Sequence, residues 1–327
     1  MTAQPEAAAR ADAQARRALA RGIAFLEAAQ LPSGEIPIDI AMRPDMGGPS
    51  HREPAVFPAA LAARALAEVP AAARMVGRAL DFLEREMHPD GLWRHPSTEL
   101  RAWWHTPLDV DDTALASAAL RAAGRAVPDN RALLLAEREP GGLFRTWIVR
   151  WWPHPLATWR FFRRIAERAD VDCVINANAV FYLGDCEETR PVVADMLAIL
   201  RERREMAATI WYASPFTIWY FFAHALRRVG LDAGDAILAR LDGAAAPADA
   251  LELAAATTTG LLWNRVPDVA PLLAAQRPSG AWPSCAFYHM GRRRDEAQPK
   301  APWWGSEALT TVFAVEALSR YLDAAAP

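Results

Sequence analysis

Leu272-Leu273-Ala274-Ala275-Gln276-Arg277-Pro278-Ser279-Gly280-Ala281-Trp282 ends an amphipathic helix, turns through Pro, Ser and Gly, and sets an indole two residues beyond the glycine. The same spacing recurs at Phe25-Leu26, Gln30, Gly34 and Ile36, and again at Phe82-Leu83, Met87, Gly91 and Trp93. A weaker copy lies at Arg138, Gly142 and Phe144. Such recurrence identifies tandem supersecondary units that bury their apolar faces against one another. The glycine supplies a positive-φ or closely packed backbone position after a helix C-terminus. The following Trp or Ile packs back on the helix ends, and a glutamine at the helix end is placed to bond backbone groups of the next repeat. The turn is therefore expected to clasp neighbouring hairpins together.

After each turn the sequence becomes richer in small apolar residues with helical spacing, as in 114–124 (ALASAALRAAG) and 310–321 (TTVFAVEALSRY). Inner helices are expected near 55–68, 109–123, 172–184, 215–228, 247–262 and 305–322. Outer ones are expected near 12–30, 73–87, 130–138, 190–204, 233–241 and 266–276. Strand signals are nearly absent. The fourth and fifth repeats lack a recognisable Gln/Gly turn, yet the helical alternation continues and no linker divides the chain. The reading is all-α: one (α/α)6 toroid over residues 1–327, with about 1–12 as a disordered tail.

The chain of 327 residues is 52% hydrophobic, which supports a sizeable core, and its net charge of -3 excludes a basic nucleic-acid-binding surface. The three cysteines, Cys173, Cys186 and Cys285, are too few and too scattered for a disulfide framework and fit a reducing, cytoplasmic compartment. No secretory signal is read in Met1 to Gly22, and no run of about 18 apolar residues suits a membrane span.

The sharpest local feature is Pro107-Leu108-Asp109-Val110-Asp111-Asp112-Thr113, which opens the second inner helix. Asp109 suits an N-cap and Asp112 the N3 position, where acids favour a helix N-terminus. Capping leaves Asp111 unexplained, since three clustered acids repel one another. In an apolar cavity, repulsion and desolvation would retain at least one proton at neutral pH, while the helix dipole would oppose this.

Asp109-Val110-Asp111-Asp112 resembles the DxDD motif of class II terpene cyclases, and Gln276 to Trp282 is similar to the QxxxGxW repeat of squalene–hopene cyclases. Over most of its length the chain resembles the prenyltransferase/squalene-cyclase repeat superfamily. The resemblance implies that Asp111 protonates a terminal alkene or epoxide of an isoprenoid, with Asp109 and Asp112 holding and tuning it. It implies carbocation intermediates, which aromatic faces stabilise. Trp104, Trp211, Trp219, Tyr212, Trp304 and Tyr288 are the aromatic candidates for substrate contact. Asn176, Asn178 and His105 are candidates to support the acid. An Asp170-Val171-Asp172-Cys173 cluster opens the third inner helix and echoes the acidic motif. The chain departs from the two-domain pattern usual in class II cyclases, so a homodimer or a second helical domain is an expected partner if one toroid does not suffice.

No cofactor is expected, with Mg2+ only if the substrate carries a diphosphate, and no DDxxD or NSE-type motif is present. Arg292-Arg293-Arg294 could bind such a diphosphate or form a solvated turn. A protein-prenyltransferase-like zinc site would draw on Cys285, His289 and Asp172-Cys173, which do not form a tetrahedral set by spacing. Sugar-cleaving toroids use separated acids rather than three at one helix end. A non-catalytic lipid- or protein-binding toroid is the other alternative. The Trp147–Pro153 and Trp211–Phe216 stretches either dip into a membrane interface or pack between hairpins.

Overall fold

The computed structural model describes residues 3–101, 103–291 and 299–325. Six inner helices are α2 (Phe57–Ala65), α4 (Val110–Ala122), α7 (Cys173–Leu183), α10 (Pro215–Arg228), α12 (Ala250–Leu262) and α14 (Glu307–Ala324). The outer helices are α1 (Ala3–Ala29), α3 (Ala73–Glu86), α5 (Arg131–Leu135), α8 (Arg190–Glu202), α11 (Gly234–Asp242) and α13 (Ala270–Ala274). Each inner helix packs on the next, and α14 packs back on α2, so the inner helices close into a ring. Two further helices, α6 (Pro155–Arg164) and α9 (Glu205–Ala208), lie between hairpins.

The two helix classes differ as their sequences require. On α3 the buried residues are Met75, Ala79, Leu80, Phe82 and Leu83, one stripe of an amphipathic helix, while Arg74, Asp81 and Arg85 face water. On α4 every residue from Val110 to Ser117 is buried, as befits a helix enclosed on all sides. Small side chains there let six helices converge.

The clasp turns hold the ring. Gly34 and Gly280 take φ values of 92° and 93°, and a Cβ on either would press into a backbone carbonyl of a neighbouring helix, at Arg78 or Arg21. Gln30 Nε2 donates to Gly34 O at 2.9 Å and to Met75 O, on the next outer helix, at 3.0 Å. Gln276 Nε2 bonds Gly280 O and Ala18 O, both at 2.9 Å, and thereby ties the last hairpin to the first. Trp93 and Trp282 are fully buried, and their indole N–H groups reach Leu83 O and Leu272 O.

Two features depart from the sequence reading. α1 begins at Ala3, so helix extends through most of the stretch expected as a tail; its Ala, Glu, Gln and Arg content is that of strong helix formers. Small sheets also sit at the N-terminal mouth of the inner ring. Strands β1 (Ile38–Ala41), β2 (Ser50–Glu53), β5 (Tyr288–Met290) and β6 (Lys300–Gly305) form an antiparallel sheet in the order β2-β1-β6-β5. Strands β3 (Leu108–Asp109) and β4 (Trp147–Ile148) form a second. β1 pairs with β6, which lies at the other end of the chain, and no local alternation announces such pairing. The Arg292-Arg293-Arg294 loop lies outside the described residues.

Candidate active site

The acidic motif is placed by backbone bonds from two repeats. Asp109 N donates to Trp93 O at 3.1 Å, in the clasp turn of its own hairpin, and Val110 N donates to Thr146 O at 2.9 Å, in the next connection. Asp109 is the N-cap of α4, and its Oδ1 accepts from Asp112 N at 2.8 Å. One helix turn thus directs all three carboxyl groups to the wall of a cavity of about 210 Å³ at the N-terminal mouth of the ring. Phe57, Trp147, Phe161, Trp211, Tyr288 and Trp304 supply its aromatic walls.

Asp111 is 8% exposed and is met by a neutral donor on each oxygen. Asn178 Nδ2, from α7, donates to Oδ1 at 2.6 Å. The Tyr212 hydroxyl, from the segment preceding α10, donates to Oδ2 at 2.6 Å. Groups from two successive inner helices and from the connection leading into the third therefore converge on one carboxyl. Tyr212 is itself held from both sides. Asp172, the N-cap of α7, accepts from Thr209 Oγ1 at 2.8 Å and Trp211 N at 3.2 Å. Across the segment, Ala213 N bonds Phe287 O and His289 N bonds Trp211 O.

These surroundings decide the protonation question that the helix dipole left open. Burial, helped by repulsion from Asp112 and Asp172, outweighs the Tyr212 and Asn178 bonds and pushes the Asp111 carboxyl up to about 7. Burial and the Asp112 and Asp111 charges drive Asp109 well above the ordinary carboxylate range. His95 Nδ1 lies 3.6 Å from Asp112 Oδ2, and its Nε2 is 2.8 Å from the Tyr288 hydroxyl. Burial pulls the His95 imidazole down, but the Asp112 carboxylate more than compensates, so its affinity for a proton is raised. The cavity thus presents carboxyl groups able to hold a proton near neutrality within an aromatic enclosure, and Asp111 is the one held by neutral donors on both oxygens.

Solved structures share this architecture. A variant of type II terpene cyclase MstE from Scytonema, in complex with geranylgeranyl dihydroxybenzoate as substrate, matches with a TM-score of 0.70 at 18% identity. That match covers 96% of this chain and 99% of the cyclase. A protein from Actinoplanes matches at 0.69 and 18%, over 95% and 100%. An ent-copalyl diphosphate synthase from Streptomyces platensis matches at 0.52 and 18%, over 81% of this chain and 50% of its own. No family model matches the chain, and no curated protein sequence does. The chain has the type II terpene cyclase fold.

Within that fold the structure separates the sequence candidates. Asp109, Asp111, Asp112, Trp211, Tyr212, Tyr288 and Trp304 line the cavity, and Asn178 reaches Asp111. Asn176 does not: its amide bonds Phe144 N and O and Asp172 O, because its side chain points one helix face away and satisfies the preceding connection. Trp219 is also a correction. It is 1% exposed in the core, its indole N–H donates to Glu205 Oε1 at 2.9 Å, and it takes no part in the cavity. The Trp104 and His105 rings meet edge-on, and Trp104 also packs on His154, beside a separate small pocket. The imidazole beside the acids is instead His95, brought there by the clasp turn at Gly91 and Trp93. Glu53, Trp147 and Phe161 also line the cavity without having been anticipated. They come from a strand, a strand and an inter-hairpin helix, where sequence spacing carries no signal. The zinc candidates are dispersed: Cys285 Sγ bonds Pro283 O, His289 Nδ1 bonds Met290 O, and Asp172 caps α7. Among the described residues no group of three or more His, Cys, Asp and Glu side chains is arranged to hold a metal.

Proposed function

We propose that the protein is a class II-like terpene cyclase, which starts carbocation cyclisation of a linear isoprenoid by protonating an alkene or epoxide with Asp111. The observation that carries this reading is the Asp111 carboxyl, buried in an aromatic-walled cavity and bonded on both oxygens by neutral partners. Each carboxyl oxygen keeps a second lone-pair site, so a proton can sit on Asp111 while Tyr212 and Asn178 hold its plane. Asn178 and Tyr212 stabilise the carboxylate left after proton transfer, which lowers the barrier to giving the proton up. Asp109 is the cap that orients the first turn of α4, and Asp112 with His95 supplies the adjoining charge. Trp147, Trp211, Tyr288 and Trp304 offer ring faces to the cationic intermediates.

The Scytonema cyclase, matched over 99% of its length, is of comparable extent. The substrate is an isoprenoid, and magnesium enters only if it carries a diphosphate. The test is incubation with farnesyl diphosphate, geranylgeranyl diphosphate, an aryl-geranylgeranyl compound and squalene, followed by mass spectrometry. Isomeric cyclic products that vanish in Asp111→Asn support the reading. A folded wild-type protein that turns over none of them while binding them unchanged would instead be a lipid-binding toroid.

A further inference from the structure

Resting on the cyclase reading above, we propose that Glu53 is the base that ends the cation cascade, taking a proton from a carbon beside the last cationic centre. β2 ends in Arg52-Glu53, and strand alternation sends the two side chains to opposite faces. Arg52 bonds Glu35 Oε1 at 3.1 Å and also reaches Glu99. Glu53 turns to the cavity and lines its wall. Its Oε2 accepts the indole N–H of Trp304, a second lining residue, on β6. Among the described residues its Oε1 has no donor, and neither oxygen has an ion-pair partner. The neighbouring arginine is spent on other acids, so a carboxylate with one open oxygen faces an aromatic enclosure.

Acid and base must occupy different walls. Asp111 gives its proton to one alkene, and each new C–C bond then moves the positive charge along the chain. Return of a proton to Asp111 would only reverse the first step. Tyr212 and His95 belong to that same end, since one bonds Asp111 and the other meets Asp112. Glu53 comes instead from the sheet. Its partner Trp304 stacks on Tyr288 at 5.3 Å, and Tyr288 meets His95 edge-on at 5.4 Å. A strip of three rings thus joins the carboxylate on β2 to the acids on α4, and ring faces stabilise the charge that travels between them.

The closing step balances without any further reagent. A C–H bond beside the cation breaks, its electron pair becomes the C=C bond of the product, and the proton goes to Glu53 Oε1. Asp111 has then lost one proton and Glu53 has gained one, so the product is an isomer of the substrate. Glu53 is half-buried where Asp111 is 8% exposed, so the proton can pass on to water. His289 is the rival base: it lines the cavity, and its Nδ1 donates to Met290 O at 2.7 Å, which leaves the Nε2 lone pair to accept.

The product pattern of wild type, Glu53→Gln, Trp304→Phe and His289→Gln on the isoprenoids named above tests this, by mass spectrometry and NMR. Glu53→Gln is isosteric and keeps an oxygen for the Trp304 indole, so it removes the base and spares the ring. Wild type should give a cyclic alkene isomeric with its substrate. Glu53→Gln should still form rings, but its products should be heavier by one water or carry the double bond elsewhere. The ratio of the wild-type alkene to these products should fall about 10²-fold, the lower span of a lost general base. Trp304→Phe and His289→Gln should keep the wild-type ratio. An unchanged pattern in Glu53→Gln overturns the assignment and leaves the Asp111 reading standing. So does a wild type that yields only hydrated rings, the same shift in Trp304→Phe, or a shift confined to His289→Gln. No cyclic product from wild type removes both readings.

Discussion

Asp111 and Glu316, two of the carboxylic acids buried in this protein, have neighbours that give them opposite fates. Asp111 stands at the start of α4, at the mouth. Glu316 lies within α14, about nine residues from its start and so ~14 Å deeper along the helix direction. Both are almost fully buried. Asp111 is met by a phenol and an amide. Glu316 is met by the Tyr220 hydroxyl at 2.6 Å, Arg320 Nε at 3.0 Å and His224 Nε2 at 3.3 Å, with Arg64 donating to Tyr220 from α2. Burial opposes ionisation of Glu316, yet His224, Arg64 and Arg320 hold it well below the ordinary carboxylate range. Burial alone therefore does not make an acid. The charge of the hydrogen-bonding partners decides whether a buried carboxyl keeps its proton or serves as a fixed anion. The deep cluster ties α2, α10 and α14 together, while the acids at the mouth line the cavity.

Exchanging each carboxyl for its amide should break the two regions in opposite ways. Asp111→Asn should lower cyclisation roughly 10²–10⁴-fold, the span of a lost general acid, while the protein still folds. Product formation by mass spectrometry, beside a thermal melt, checks it. Full turnover in Asp111→Asn would remove Asp111 as the proton source. Glu316→Gln should do the reverse. It leaves the Arg64 and Arg320 side chains partly buried without a counter-ion and should cost about 3–5 kcal/mol of stability. Turnover per folded molecule should hardly change, and a denaturant midpoint equal to that of wild type would show the deep cluster to be dispensable.

The pH dependence sharpens the same contrast. Asp111 binds its proton more tightly folded, at about 7, than at its ordinary 3.8. Its contribution to stability is therefore complete below about 4 and is lost as pH rises to about 7. Glu316 has the opposite sign: its contribution is present above its ordinary 4.5 and is lost as pH falls through its depressed folded value. Asp111→Asn should consequently gain on wild type between pH 4 and 7.5, by roughly 2–4 kcal/mol at the upper end. Paired denaturation curves across that range test this, and a difference that stays flat would mean Asp111 ionises freely. Turnover should instead hold below about 6 and fall as pH rises through about 7, because the reacting form is protonated.

The smallest effect concerns a single neutral partner. Tyr212→Phe removes a bond that favours the ionised form of Asp111. Its acid becomes weaker, so turnover should drop by about tenfold or less and the pH profile should move upward. A downward movement would show that the hydroxyl acts otherwise.

The linear chain contains the reasons for the ring. Periodic apolar stripes and small-residue helices specify alternating outer and inner hairpins, because burial on one side or on all sides demands those compositions. The Gln276 to Trp282 turn states the clasp outright, and Asp109-Val110-Asp111-Asp112 marks a helix start with one acid too many. Even the missing turns of the fourth and fifth repeats did not hide their helices. Other features exist only once the ring closes. His95 comes beside Asp112 through a turn in the same hairpin, Tyr212 reaches Asp111 from 101 residues away, and β1 finds β6 across nearly the whole chain. Asn176 and Asn178 are indistinguishable in sequence, and a rotation of two positions on α7 sends one to the preceding backbone and the other to the acid. Periodicity is a local property and can be read locally; the charge and donor character around a buried carboxyl is a sum over segments that only folding brings together.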